Sequence, residues 1–326
     1  MASLRQASLR DIRLFVAAYE ERSFTAAAER ENATQSGVSQ HVAKLEQHFQ
    51  VRLFSRGGAG PRGRVTPTPA ADTYYSRCLD VLRAHDAAAA SLTEFGSGLA
   101  GEISVGLMPT MTRSALAPAL NRFTAAHPNV TVRILEAYSG ALTRDIRSGI
   151  LDFAIVPAFT GGPGIKVRPF LTTPETLVSR VGTDQHLVPV RLADLGPLKL
   201  VLPGPANTRR QTLTTYFAAN GIDVERTIEL DAMMGTLDTV ASSDWVTVLP
   251  GVMMAAEIER AGFTVRPILD PPLDLDLVVI EPARRNMTPP AAAFFATLDR
   301  ETHRLNDCWT PFLPSPLRGL AGEVAR

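Results

Sequence analysis

Residues 15–56 read FVAAYEERSFTAAAERENATQSGVSQHVAKLEQHFQVRLFSR, and this stretch decides how the chain begins. Starting just upstream, residues 9–20 place Ile12, Phe15, Val16 and Tyr19 at steps of three and four, one apolar face of a helix. Ser23 is the N-cap expected for a second helix, Phe24–Arg30, in which Ala26, Ala27 and Ala28 permit close packing. Glu31-Asn32-Ala33 interrupts that pattern. Thr34 then caps a third helix from Gln35 to Phe49, with Val38, Val42, Leu45 and Phe49 as its buried stripe. Two short helices around a tight turn, with a basic segment after them, are the ingredients of a helix-turn-helix.

The third helix leaves Gln35, Ser36, Ser39, Gln40 and His41 outside, short or planar hydrogen-bonding groups near its N-terminus. Such groups reach base edges, and glutamine suits a bidentate pair on adenine. Gly37 keeps the surface low, the positive helix end favours a phosphate, and Lys44 one turn later suits the flanking backbone. Alone, a Ser/Gln face is also what any solvated helix presents. The next segment shifts the balance: residues 51–66, VRLFSRGGAGPRGRVT, read as a short β-hairpin bearing Arg52, Arg56, Arg62 and Arg64. Those arginines suit a wing that grips phosphates or enters a minor groove.

The run resembles the DNA-binding head of LysR-type transcriptional regulators. Phe15, Ser23, Phe24, Thr25, Ala27, Ala28, Thr34, Gln35, Val38, Ser39, Leu45, Glu46, Val51, Leu53, Phe54 and Arg56 fall on that family's pattern in order, without gaps. The resemblance implies double-stranded DNA as a partner, contacted by Thr34, Gln35, Ser36, Ser39, Gln40 and the wing arginines. The full set of candidate DNA contacts is these five plus His41, Lys44, Arg56, Arg62 and Arg64. Two departures stand out: the glycine-rich wing is a few residues longer than usual, and Ala71 occupies a position where the family usually has glycine.

Charge is distributed accordingly. The 326 residues carry 33 basic and 33 acidic side chains, a net charge of zero. Residues 1–70, however, hold ten Lys/Arg against six acids, and residues 35–70 hold five against one. A small basic head on an acidic body is the asymmetry of a chain that meets a polyanion. Hydrophobic residues at 45% and charged ones at 20% fit a folded chain of two or three domains. No apolar run reaches the ~18 residues of a membrane span. Arg5, Arg10, Asp11 and Arg13 break the N-terminus in a way unlike a signal peptide. Cys78 and Cys308 match no zinc or redox spacing, so no metal or cofactor and a reducing, cytoplasmic location are expected.

From Pro69 to Phe95 neither proline nor glycine recurs, so a helix of ~27 residues, about 40 Å long, is expected. Ala71, Tyr75, Cys78, Leu82, His85, Ala89 and Leu92 alternate in steps of four and three. That seam is too long to bury on a small head, and pairing with a second subunit is the economical solution, with packing on the chain's own C-terminal body as the rival. In the family this linker helix forms the dimer. Gly96-Ser97-Gly98-Leu99-Ala100-Gly101 spells G-x-G-x-x-G, but it comes after a helix and enters a strand, the wrong context for a dinucleotide site; a hinge is the better reading.

Beyond it, strand patterns at Ile103–Leu107, Val130–Leu135, Phe153–Val156, Leu198–Leu202, Val246–Leu249 and Leu275–Ile280 alternate with helical ones at Ala115–Ala126, Leu142–Ser148, Arg209–Ala219, Met233–Ala241 and Pro290–Arg304. An α/β body with mainly parallel strands, split into two lobes around a cleft, is expected. There is no G-x-S-x-G, H-E-x-x-H or P-loop, and the six histidines are scattered, so no catalytic residues are assigned. GEISVGLMPTMT, ALNRFTAAHPNVTVRI and SGALTRDIRSGILDFAIVP resemble the family's effector domain, similar in fold to periplasmic binding proteins. By position the resemblance implies a pocket of Pro109, Thr110, Met111, Thr112, Ser139, Pro157, Asn207 and Thr208, suited to a carboxylate or similar anion.

The sequence thus predicts an α+β multi-domain chain: a winged helix-turn-helix over 1–68, a linker helix over 69–96, a two-lobed α/β effector domain over 97–306 and a tail over 307–326. The function expected is a DNA-binding, effector-sensing transcriptional regulator working as a homodimer or homotetramer. The competing reading is an α/β enzyme with an appended helical dimerisation domain.

Overall fold

The structure, a computed structural model, describes residues 7–55, 65–93, 98–182, 185–205 and 207–313. Helices α1 (Leu9–Glu21), α2 (Phe24–Arg30) and α3 (Gln35–Phe49) form the head. Ser8 opens α1 with a reciprocal cap to Asp11, while Ser23 and Thr34 cap α2 and α3 through their hydroxyls. Asn32, left-handed at φ 49°, makes the turn between α2 and α3. The core runs from Phe15, Val16 and Ala27 to Val38, Val42 and Leu45. A two-stranded ribbon, β1 (Phe54–Ser55) with β2 (Thr66–Pro67), is shorter than the hairpin read from sequence. It is seated by Phe54, which packs on Phe15 and edge-on to Phe24. Phe49, expected in the buried stripe, is 45% exposed: it lies in the last turn of α3, past the core, and rests on Tyr74.

Helix α4 (Pro69–Thr93) departs further from expectation. Its seam residues Ala71, Cys78 and Leu82, with Leu79, are buried against the chain's own head and Ala283 of the C-terminal body. Tyr75 is tied in through its hydroxyl, which bonds to both head and body. Burial pushes the Cys78 thiol up to about 11. The first half of the seam is therefore covered within the chain, chiefly by the head, with Ala283 the body residue that joins it. The tyrosines and the buried cysteine bring α4 close to α1, where Tyr19 and Tyr75 stack at 4.0 Å. Farther along, His85 and Val81 are exposed.

The body continues in chain order: β3 (Gly101–Leu107), α5 (Pro109–Thr112), α6 (Leu116–Ala126), β4 (Val130–Glu136), α7 (Ser139–Ser148), β5 (Phe153–Pro157) and β6 (Ile165–Arg180). Then come β7 (Leu198–Leu202), α8 (Thr208–Ala219), β8 (Val224–Glu229), α9 (Met233–Ala241), β9 (Val246–Pro250), α10 (Gly251–Met254), α11 (Glu257–Arg260), β10 (Phe263–Pro267), β11 (Asp274–Pro282) and α12 (Pro289–Asp307). Strand order is β4-β3-β5-β11-β6-β9-β7-β8, with β10 also on β6. The long strand β6 pairs with β11 through Pro174, then with β9 and β10 beyond it, so one strand serves both lobes. The chain returns through residues 268–273 into β11, a second crossover beside the first.

The strands are not mainly parallel. β3–β4, β3–β5, β7–β8 and β7–β9 are parallel, whereas β11 and β6 run antiparallel to their neighbours because both cross between lobes. The first-lobe core gathers Phe123, Phe153 and Phe294; the second-lobe cores gather Leu200, Leu213 and Val248 on one face and Val201, Met254 and Trp309 on the other. Trp309 corrects the tail boundary: it is wholly buried, so the chain remains part of the body past residue 307.

Candidate nucleic-acid interface and ligand cleft

On the head, α3 presents Gln35, Ser36 and Gln40 to solvent, with Ser39 half-buried. Thr34 Oγ1 accepts from the Gly37 amide at 3.1 Å and lies 3.2 Å from Ser36 Oγ, which fixes the first turn. Gly37 suits the position: a Cβ there would stand 3.0 Å from Thr34 Oγ1, a tight contact that the cap would have to give way to. His41 and Lys44 are placed differently from the other five. Both reach the buried carboxylate of Asp11 on α1, His41 through Nδ1 and Lys44 through Nζ at 3.0 Å. Burial would raise the Asp11 carboxyl, but bonds from His41, the Ser8 amide and hydroxyl, and Lys44 outweigh it and hold the group well below the usual carboxylate range. Lys44 and His41 therefore brace α3 on α1.

The wing base is organised by Glu46. Its Oε1 accepts from the Leu53 and Phe54 amides at 2.8 and 3.0 Å, and Oε2 faces Arg52 at 3.4 Å. Arg56, Arg62 and Arg64 lie outside the described residues.

A polar seam joins head to body. The Tyr75 hydroxyl donates to Glu20 and accepts from the Gly164 amide, each at 2.8 Å. Arg83 donates to the Ala283 carbonyl at 3.0 Å, and Arg284 reaches Glu31 at 3.0 Å. Behind them Arg30 bonds Glu20 and Glu21, all within the head. Its partners lie 55 to 253 residues apart, so no local pattern in the sequence signals this seam.

Between the lobes lies a cleft of about 500 Å³ counting its open mouth. The first lobe contributes Met108, Pro109, Thr110 and Tyr138; the second contributes Val201, Asn207, Arg209, Met233, Thr236 and Leu249, among others. Of the residues read from sequence, Pro109, Thr110 and Asn207 line it. Met111, the next residue round the short α5, turns into the first-lobe core. Thr112 bonds Pro109 and Glu136, and neither Ser139 nor Pro157 reaches the cleft. Thr208 opens α8, and its side chain lies outside the described set.

Sequence reading missed Tyr138, Arg209 and Thr236. Arg209 forms a buried fork with Glu175, Nε–Oε1 2.9 Å and Nη2–Oε2 2.6 Å, and also donates to the Val248 carbonyl. Burial raises the Tyr138 phenol, with the charges of Asp231 and Glu136 adding to it. Among the described residues no cluster of three or more His, Cys, Asp and Glu side chains gathers for a metal, and no helix is long and apolar enough to cross a membrane.

Comparison with known proteins agrees with this division. Residues 9–72 match the profile of the bacterial regulatory helix-turn-helix protein, lysR family, and residues 96–302 that of the LysR substrate binding domain. The nitrogen assimilation regulatory protein nac of Klebsiella aerogenes is 29% identical over 288 residues, 88% of this chain and 92% of that protein. Full-length OxyR from Pseudomonas aeruginosa superposes with TM-score 0.56 at 21% identity, over 94% of this chain and 98% of that one. Full-length CbnR complexed with its target DNA gives 0.52 at 19%, over 90% and 99%. Head, cleft and these matches together place the chain in the LysR family of transcriptional regulators, with a helix-turn-helix DNA-binding domain and an effector-binding domain.

Proposed function

We propose that Thr34, Gln35, Ser36, Ser39 and Gln40 read base edges in a major groove, with the basic wing on the neighbouring backbone. The observation that carries this is the α3 face itself: five hydrogen-bonding side chains around a low glycine, on a helix braced by Asp11 rather than by the groups that face outward. Lys44 and His41 support that face through Asp11, and the half-exposed Lys44 also meets the flanking backbone.

The cleft takes a small-molecule effector, and the chain works as a homodimer or homotetramer. The exposed face of α4 around Val81 and His85 is where a second subunit would pack, since the opposite face is covered by the head at Cys78, Leu79 and Leu82. Coupling runs through the seam. Gly164, Ala283 and Arg284 adjoin β6 and β11, the two strands that cross between the lobes, so a change of lobe angle moves the groups that hold Tyr75, Arg83 and Glu31. An effector shifts the head only if its affinity differs between the two arrangements.

The test is footprinting of full-length protein on its own promoter with and without candidate metabolites. The expected result is an altered footprint with at least one compound that also raises the melting temperature. Thermal stabilisation by compounds that leave every footprint unchanged would contradict the coupling.

A further inference from the structure

The cleft's polar groups divide into those already satisfied and those left open. Among the described residues lining the cleft the one cation, Arg209, is taken by the protein itself. Arg209 is forked onto Glu175, with both side chains buried. The Arg209 amide, in the first turn of α8, is capped by Asn207 Oδ1 at 3.0 Å. In the loop leading to α8, the Gly204 amide donates to Asp231 at 2.9 Å, and a side chain at Gly204 would collide with that carboxylate at 2.6 Å. Beside the cleft on the first lobe, the Thr112 hydroxyl is held by Glu136.

The side-chain groups not spoken for among the described lining residues are uncharged: the Tyr138 hydroxyl, the Asn207 amide nitrogen and the hydroxyls of two buried threonines. Thr110 and Thr236, one from each lobe, are each only 5% exposed and line the cleft. Neither hydroxyl has a hydrogen-bond partner among the described residues, although Thr239 nearby bonds back to its own helix. Around them the wall is apolar: Met108, Val201, Leu230 and Met233.

We infer that this cleft is built for an uncharged effector, with an apolar body and one carbonyl, amide or hydroxyl group held between Thr110 and Thr236, and not for a carboxylate or phosphate. This rests on the reading of the cleft as the effector site. An incoming anion would shed its water next to an ion pair of zero net charge, with the charges of Asp231 and Glu136 acting on Tyr138 in the cleft wall. A neutral group loses less water and satisfies both hydroxyls, which donate and accept. The lobes close on such a ligand because each supplies one of its two partners.

Hexanamide, hexanoate and hexylamine form a matched neutral, anionic and cationic set, to be titrated against the full-length protein by ligand-observed NMR. Hexanamide is expected to bind at least about tenfold more tightly than either ion, the order of one hydrogen bond made against one charge left unpaired. T110V and T236V, which conserve volume, should each remove that preference. E175Q frees the Arg209 charge and should raise hexanoate affinity about tenfold; if it does not fold, the threonine variants decide alone. Tightest binding by hexanoate or hexylamine, reduced by T110V, would overturn the charge class while leaving the cleft as a receptor. Binding of all three probes unaffected by either threonine variant, or no binding at all, would overturn the receptor reading and this inference together.

Discussion

Replacing Glu46 by alanine removes the acceptor on which the wing is hung. Its Oε1 receives two backbone amides, Leu53 at 2.8 Å and Phe54 at 3.0 Å, and the side chain is 10% exposed. A hydrogen bond to a charged group contributes ~1.5–3 kcal/mol, so two give ~3–6 kcal/mol at most. The site lies at the head's margin, where water reaches the freed amides after truncation, and the expected loss is nearer ~2–3 kcal/mol. Glu46→Gln keeps one acceptor oxygen and loses only the charge assistance, which places it at about 1 kcal/mol. Hydrogen exchange on the full chain reads both: protection at the Leu53 and Phe54 amides should fall by roughly 30- to 150-fold in the alanine variant and by less than tenfold in the glutamine variant. Equal protection in wild type and Glu46→Ala would refute the claim that this carboxylate organises the wing.

Asp11 makes the head sensitive to acid. Its folded carboxyl titrates below the ordinary 3.8, so its contribution is complete above that value and lost as pH falls through the lower range. Asp11→Asn should therefore lower stability at neutral pH and flatten the acid limb of the unfolding curve below pH 3.8; parallel curves would contradict this. Tyr75→Phe strips the Gly164 amide and Glu20 of a shared partner, for ~1–3 kcal/mol, and should speed exchange at Gly164 while leaving the α3 amides protected. Phe294, wholly buried against Phe123 and Phe153, should cost ~3–5 kcal/mol as alanine in urea unfolding followed by circular dichroism.

The head was legible because its signals are local. Caps at Ser23 and Thr34, and apolar steps of three and four, bring together residues close in sequence. Strand β6 was not: IKVRPFLTTPETLVSR contains Pro169 and Pro174 and has no clean alternation, yet partners on both lobes extend it over 16 residues. The cleft suffered similarly. One step along α5 separates Thr110, which lines the cleft, from Met111 in the core. Glu175 and Arg209 stand 34 residues apart, and Asp11 lies 30 and 33 from His41 and Lys44. Pairs at such separations are set by tertiary contact, so the sequence pattern showed the charges without their partners. The linker seam was legible in part for a related reason: its heptad spacing describes an apolar face without naming its partner, and the first half of that face packs within the same chain.

The most direct test of the whole account is a randomised-duplex selection with the full-length protein, run beside Gln35→Ala. Wild type should enrich a defined site, and Gln35→Ala should lose preference at one base position, by about 1–3 kcal/mol, while random-duplex binding stays unchanged. No enriched site for the wild type, or equal losses on specific and random duplexes for Gln35→Ala, would contradict base reading by the exposed face of α3.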